Sequence, residues 1–228
     1  MIGVFANTVL VFLGSIVGLY LKRGIPENIK KMIMIGLGLF TCVFGIKMGL
    51  EMEKPLVVVV SLVLGGAFGT LLRIEALLEG LGMRMKQYIK TKDETSFSQG
   101  FVTASLLFCV GPMTILGCLQ AGLENNPELL FIKSLMDGVS ATILSSTLGI
   151  GVMFSAVFVL VFQGLLTILS QQVSFLTEPI YLHDFTSVGG IMIFAIGIKL
   201  LGIKQIKVGN FLPALIFVLL FTFIYRLC

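Results

Sequence analysis

The chain has no tryptophan, a single histidine, and charges on only 12% of its residues. Each shortage excludes something. Without tryptophan, anchoring at a membrane–water boundary falls to tyrosine, and Tyr20 and Tyr225 stand near the ends of apolar runs. The lone His183 lies in "EPIYLHDF", and no histidine–carboxylate pair occupies an apolar run, which is poor material for a metal site. The four cysteines (Cys42, Cys109, Cys118, Cys228) lack metal-ligand spacing. Three lie in apolar runs, where a free thiol packs as a small hydrophobe. A membrane serine hydrolase would need a base in the bilayer, and Lys133 is the sole candidate near a hydroxyl cluster. No phosphate-binding loop appears. The net charge of +4 sits at the ends of apolar runs, so it does not mark nucleic acid as a partner. These absences argue against an enzyme and against a metal or organic cofactor.

What is present is apolar residue in blocks. The chain is 57% hydrophobic with a mean hydropathy of +1.05, whereas a soluble domain carries about 25% charged residues. Barrel strands would alternate over ~10-residue segments, which are not found. The pattern is that of an all-α polytopic protein in contact with the lipid bilayer. About 20 residues cross the hydrocarbon, and eight spans fit: 2–21, 32–50, 55–72, 100–122, 130–148, 151–170, 187–203 and 208–226, forming a single membrane domain over 1–228. The first block has neither a basic leader nor a small-x-small cleavage site and reads as a retained helix.

Positive charge tests the count. Of the 16 lysines and arginines, 11 fall in the loops that face inward if the N-terminus is outside: residues 22, 23, 30, 31, 73, 84, 86, 90, 92, 204 and 207. The outward loops 123–129 and 171–186 hold none. Eight spans with both termini outside satisfy the positive-inside rule. In loop 73–99, Ile74, Leu77, Leu78, Leu81, Met85 and Tyr88 recur at helical spacing, with Glu75, Glu79, Arg84 and Lys86 between them. The spacing predicts a cytoplasmic amphipathic helix on the membrane, interrupted near Gly80 and Gly82.

The chain also echoes itself. "LVFLG" (10–14) returns as "LVFQG" (160–164), and "FGIKMGL" (44–50) as "IGIKLLGI" (196–203), so Lys47 corresponds to Lys199. "VTASLLFCVG" (102–111) resembles "VSATILSSTLG" (139–149). Spans 1–3 (1–72) therefore match spans 6–8 (151–226), and span 4 matches span 5 within the central polar segment 100–148. Spans 1 and 6 are an odd number of crossings apart and run oppositely. That is the inverted-topology repeat of many secondary transporters, and of some channels.

The polar residues concentrate in "LMDGVSATILSSTLGIG" (135–151). A charge at mid-membrane costs a few kcal/mol or more, so Asp137 is expected to face a cavity or a partner. Lys133 stands four residues earlier and Ser140 and Ser145 follow at helical spacing. Two readings stay open: an interfacial Lys133–Asp137 pair with hydroxyls bonded to their own helix, or a site lined by a helix broken at Gly138. In span 4, Pro112 removes a helical donor, so a break is expected at Gly111–Pro112, with Thr103 and Thr114 beside it. Asn7, Thr8, Ser61, Gln163 and Asn210 read mainly as interhelical hydrogen-bonding groups, with Asn7 and Gln163 as secondary site candidates. The Gly14–Gly18, Gly45–Gly49 and Gly65–Gly69 pairs are small-xxx-small packing surfaces.

Three stretches, "GSIVGLYLKRGIPENIKKMIMIGLGLFTCVFGIKMGL" (14–50), "QGFVTASLLFCVGPMTILGCLQAGL" (99–123) and "VGGIMIFAIGIKLLGIKQIKVGNFLPAL" (188–215), carry a resemblance. The chain resembles, over essentially its whole length, a bacterial integral-membrane family of unknown function, the YdfK/YqgA type. The resemblance implies a multispan fold in the bacterial inner membrane; it supplies no activity and no site residues. From the residues themselves the leading expectation is a small secondary transporter, a homodimer working by alternating access. It would carry a small polar or amino-acid-like solute coupled to Na+ or H+, with Asp137 as the coupling group. A channel of the same symmetry and a non-transporting assembly or regulatory protein are the alternatives.

Overall fold

The computed structural model describes residues 1–22, 26–80 and 96–227; among these every regular element is helical. The helices are α1 (Ile2–Lys22), α2 (Glu27–Gly49), α3 (Pro55–Leu71), α4 (Ile74–Gly80), α5 (Ser96–Cys109), α6 (Pro112–Leu123), α7 (Glu128–Leu148), α8 (Gly151–Ile168), α9 (Pro179–Leu200) and α10 (Ala214–Leu227). Among the described residues, six stretches are long and apolar enough to cross a bilayer, and two bent pairs, α3–α4 and α5–α6, raise the number to as many as eight. This is an all-α polytopic membrane protein.

The chain packs as two compact units, Met1–Lys31 with Gly82–Thr177 and Met32–Leu81 with Glu178–Cys228. Each unit therefore joins two separated stretches of the sequence, cutting across the blocks 1–72 and 151–226.

The first unit holds α1 and α5 to α8. Its tightest seam is α1 on α7, running parallel: a Cβ added to Gly14 would fall 2.2 Å from the Gly138 carbonyl oxygen, and one on Gly18 would fall 2.1 Å from that of Thr142. Here Gly14–Gly18 joins helices inside one chain. Gly138 serves the same seam, since α7 continues through it without interruption. The expected break at Gly138 is thus corrected. The helical ladder is intact there, and the missing side chain lets the backbone of α1 approach. Termination comes at Gly149, whose φ of 79° lies where L side chains are strained. The break in span 4 is present: α5 and α6 meet at 58° across Val110 and Gly111.

The second unit holds most of α2 with α3, α4, α9 and α10. Gly38 lies against Leu201, Cys42 against Gly197, Gly45 against Phe194, and Gly49 against Gly190 and Ile191. The partners descend as the first members climb, so α2 and α9 are antiparallel. Exchanging the helices with the 152-residue shift of the "GIK" echo turns the first pair into the fourth and the second into the third.

Two expectations change in this unit. Span 7 begins at Pro179, not residue 187, because proline suits the first helical position and puts "EPIYLHDF" into the first turns of α9. Its Asp184, fully buried, accepts the backbone N–H groups of Glu53 and Lys54, each at 3.0 Å, at the start of α3. The amphipathic segment is described only as far as α4, and Leu81, Gly82, Arg84, Met85, Lys86 and Tyr88 lie outside the described residues. Within α4 one expected polar residue departs: Glu75 is buried, while Glu79 is exposed. Glu75 turns inward because Gly209 N–H donates to its carboxylate at 2.7 Å and the Lys199 ammonium stands 3.6 Å away. Lys199 is thus an ion-pair partner, whereas Lys47, its counterpart in the echo, is exposed.

Candidate functional site

A carboxylate nine residues into α7 lies about 13.5 Å along it, well inside a ~30 Å hydrocarbon layer. Asp137 meets that cost with its own helix first. Lys133, one turn earlier, donates to both carboxylate oxygens at 2.9 and 2.7 Å. Both residues are 6% exposed. The i,i+4 spacing makes the pair local, and neighbouring helices complete it. Asn7 of α1, fully buried, donates from Nδ2 to Asp137 Oδ2 at 3.0 Å and to Gln163 Oε1 of α8 at 3.1 Å. Asn7 and Gln163 each stand five residues from the nearer helix end, about 8 Å deep. One charged pair and two amides from three helices form a closed polar cluster.

Apolar packing seals one side of it. Val4, Cys118, Ala121 and Leu130 form a buried group with Leu160 and Leu166 against them. Val4 and Leu130 are each three residues before Asn7 and Lys133. The end of α5 comes near as well: buried Cys109 lies within electrostatic reach of both Lys133 and Asp137.

The α5–α6 break beside it has a local cause. Pro112 has no N–H to give the carbonyl four residues back, that of Phe108. Thr114 Oγ1 donates to that oxygen instead, at 2.9 Å. Gly111, in extended conformation, accepts from the N–H groups of Thr114 and Ile115. Thr114→Val should therefore leave one buried carbonyl unpaired and cost about 1–3 kcal/mol, while Thr114→Ser should cost far less. Thermal unfolding of the two variants in detergent checks this; equal stability would show that Thr114 does not hold the bend.

The structure joins some sequence candidates and separates others. Asp137, Lys133, Asn7 and Gln163 come together. Thr114 serves the break at Gly111–Pro112. Thr103 is buried on α5, but Asp137's hydrogen-bond partners are Lys133 and Asn7. Ser145 donates to the Thr142 carbonyl, and Ser134, Thr142, Ser146 and Thr147 likewise bond their own helix. These hydroxyls keep α7 satisfied in an apolar setting. Ser140, expected on Asp137's face, is exposed. Three residues turn the helix 300°, and the buried arc lies the other way, through Ser134, Ala141 and Ser145 toward α1.

Gln163 carries a signal in the sequence: it is the one letter by which "LVFQG" departs from "LVFLG", with Leu13 as its counterpart. Asp184 and Glu75, buried carboxylates of the second unit, are not among the site candidates read from the sequence. For Asp184 the signal was Pro179, a helix-start residue five positions upstream.

Comparison with known proteins places the chain among relatives without a described activity. Residues 2–223 match the model of a family described as "Protein of unknown function (DUF554)". The chain is 30% identical over 220 residues to "Uncharacterized membrane protein YdfK" of Bacillus subtilis (strain 168), covering 95% of this chain and 93% of that protein. It is also 30% identical over 219 residues to "Uncharacterized protein YqgA" of Escherichia coli (strain K12), covering 94% and 93% respectively. No solved structure matches.

Proposed function

We propose, from the premise that this chain belongs to the DUF554 family of proteins of unknown function, that it is a secondary transporter and not an enzyme. It moves a small polar or amino-acid-like solute by alternating access, with Asp137 as the group that a coupled proton or sodium ion engages. The observation that carries this reading is the Lys133–Asp137 pair, held at depth with Asn7 and Gln163. A lipid-embedded chain gains little stability from a buried ion pair, which packed apolar residues can replace at no loss. Ionisable groups inside a membrane mark pathways and relays.

Two further features support alternating access. The broken α5–α6 pair borders the site, as discontinuous helices do in carriers. The two-fold register of α2 on α9 suits an inverted repeat in which each half can adopt the other's shape. Inward-loop lysines and arginines support a bacterial inner-membrane location with both termini outside. The working assembly in this reading is a homodimer.

The test is solute uptake into proteoliposomes under an imposed proton or sodium gradient. Gradient-driven accumulation is expected for the native chain and at least about a hundredfold less for Asp137→Asn, with normal yield and dispersity. Unchanged uptake by the variant removes Asp137 from the mechanism. Unitary currents in place of saturable exchange would make the chain a channel.

A further inference from the structure

Among the described residues, two buried polar atoms that stand beside the ion pair have no hydrogen-bond partner: Asn7 Oδ1 and Gln163 Nε2. Turning either amide over does not rescue them. Asn7 Oδ1 would then face the Asp137 carboxylate, and Gln163 Nε2 would face the Asn7 amide hydrogens. The cluster thus offers one free acceptor and one free donor, each a costly vacancy in a low-dielectric interior. Each also repeats the sense of a charged group in the same cluster. Lys133 and Gln163 Nε2 are donors; Asp137 and Asn7 Oδ1 are acceptors.

Packing is also loose one residue along α8 from Gln163. Gly164 is buried next to Gln163, yet a Cβ added to it would meet nothing closer than the flexible Cε of Met1, at 3.9 Å. On the α1–α7 seam the corresponding distances fall near 2 Å. Electrostatics narrows the occupant further. The resting pair is neutral, so a solute carrying charge of one sign would leave that charge buried in lipid without a counter-charge. A ligand that carries both charges would not.

We propose that this cluster binds a zwitterion, an α-amino acid of about the size of glycine or alanine. Its carboxylate is taken by Lys133 and Gln163 Nε2, and its ammonium by Asp137 and Asn7 Oδ1. In the closed form described here Lys133 and Asp137 satisfy each other; the ligand parts them and supplies each with a replacement partner. This rests on the carrier reading above and names its solute class.

The test uses the full chain in lipid nanodiscs, with glycine and L-alanine as probes and methylamine and acetate as half-ligands. Glycine or alanine should raise Tm saturably and release or absorb heat in titration calorimetry, and neither half-ligand should do so. Gln163→Leu removes the free donor, and Gly164→Val adds bulk beside it. Both should keep or raise the basal Tm and weaken zwitterion binding at least about tenfold. Stabilisation by methylamine alone would mean a cation site and overturn the proposal. So would the absence of any amino-acid effect together with a raised Tm in Gln163→Leu, which would mark a water-filled structural pocket. The two readings fail separately. Binding in nanodiscs without vesicle uptake sinks the carrier and keeps the zwitterion site. Uptake of a solute with only one of the two charges does the reverse.

Discussion

Lys133→Met combined with Asp137→Leu is expected to give a chain that folds as well as the native one and transports nothing. The single change Asp137→Leu strands a buried ammonium and should cost about 3–5 kcal/mol, because Lys133 lies 6% exposed with its head on that carboxylate. Replacing both members with apolar side chains of similar volume removes the uncompensated charge, and stability should return to within about 1 kcal/mol of native. Asn7 then loses one acceptor but keeps Gln163 Oε1. Thermal unfolding of native, single and double variants gives the coupling energy directly. Uptake should be lost in both variants. If the restored double variant still accumulates solute, the pair is structural and the carrier mechanism proposed for it is wrong.

A second large effect is expected far from that cluster in sequence. Asp184→Ala should lower the stability of the second unit by about 3 kcal/mol, or roughly 6–12 °C in Tm. Asp184 is fully buried and accepts the N–H groups of Glu53 and Lys54, with Thr222 also donating to it. Its removal orphans two helix-start donors at once. Asp184→Asn keeps an acceptor oxygen and should cost about 1 kcal/mol. Equal losses for both variants would show that charge, not capping, is what Asp184 contributes. No change in either would show that water reaches these N–H groups.

The parts of the fold that were legible in the sequence are those set by local chemistry. Most helix positions followed from apolar block length, the start of α9 excepted, Gly111–Pro112 announced its own break, and Lys133–Asp137 could be read because four residues make one turn. What escaped depended on a partner helix. Gly138 looks like a helix breaker until α1 is seen against it. Ser140 shares a helical face with Asp137 on paper, yet the buried arc is chosen by where α1 lies. Gln163 and Asp184 gain meaning only from groups more than a hundred residues away. The hydroxyls of α7 were ambiguous for the opposite reason, since the same Ser or Thr serves a ligand or its own carbonyl equally well.

The α2–α9 seam has a mechanical corollary. Gly45, Gly49, Gly190 and Gly197 bring main chain against main chain along its length. Such a surface leaves no slack for bulk: a methyl group at Gly45, Gly190 or Gly197 would have to push the two rods apart.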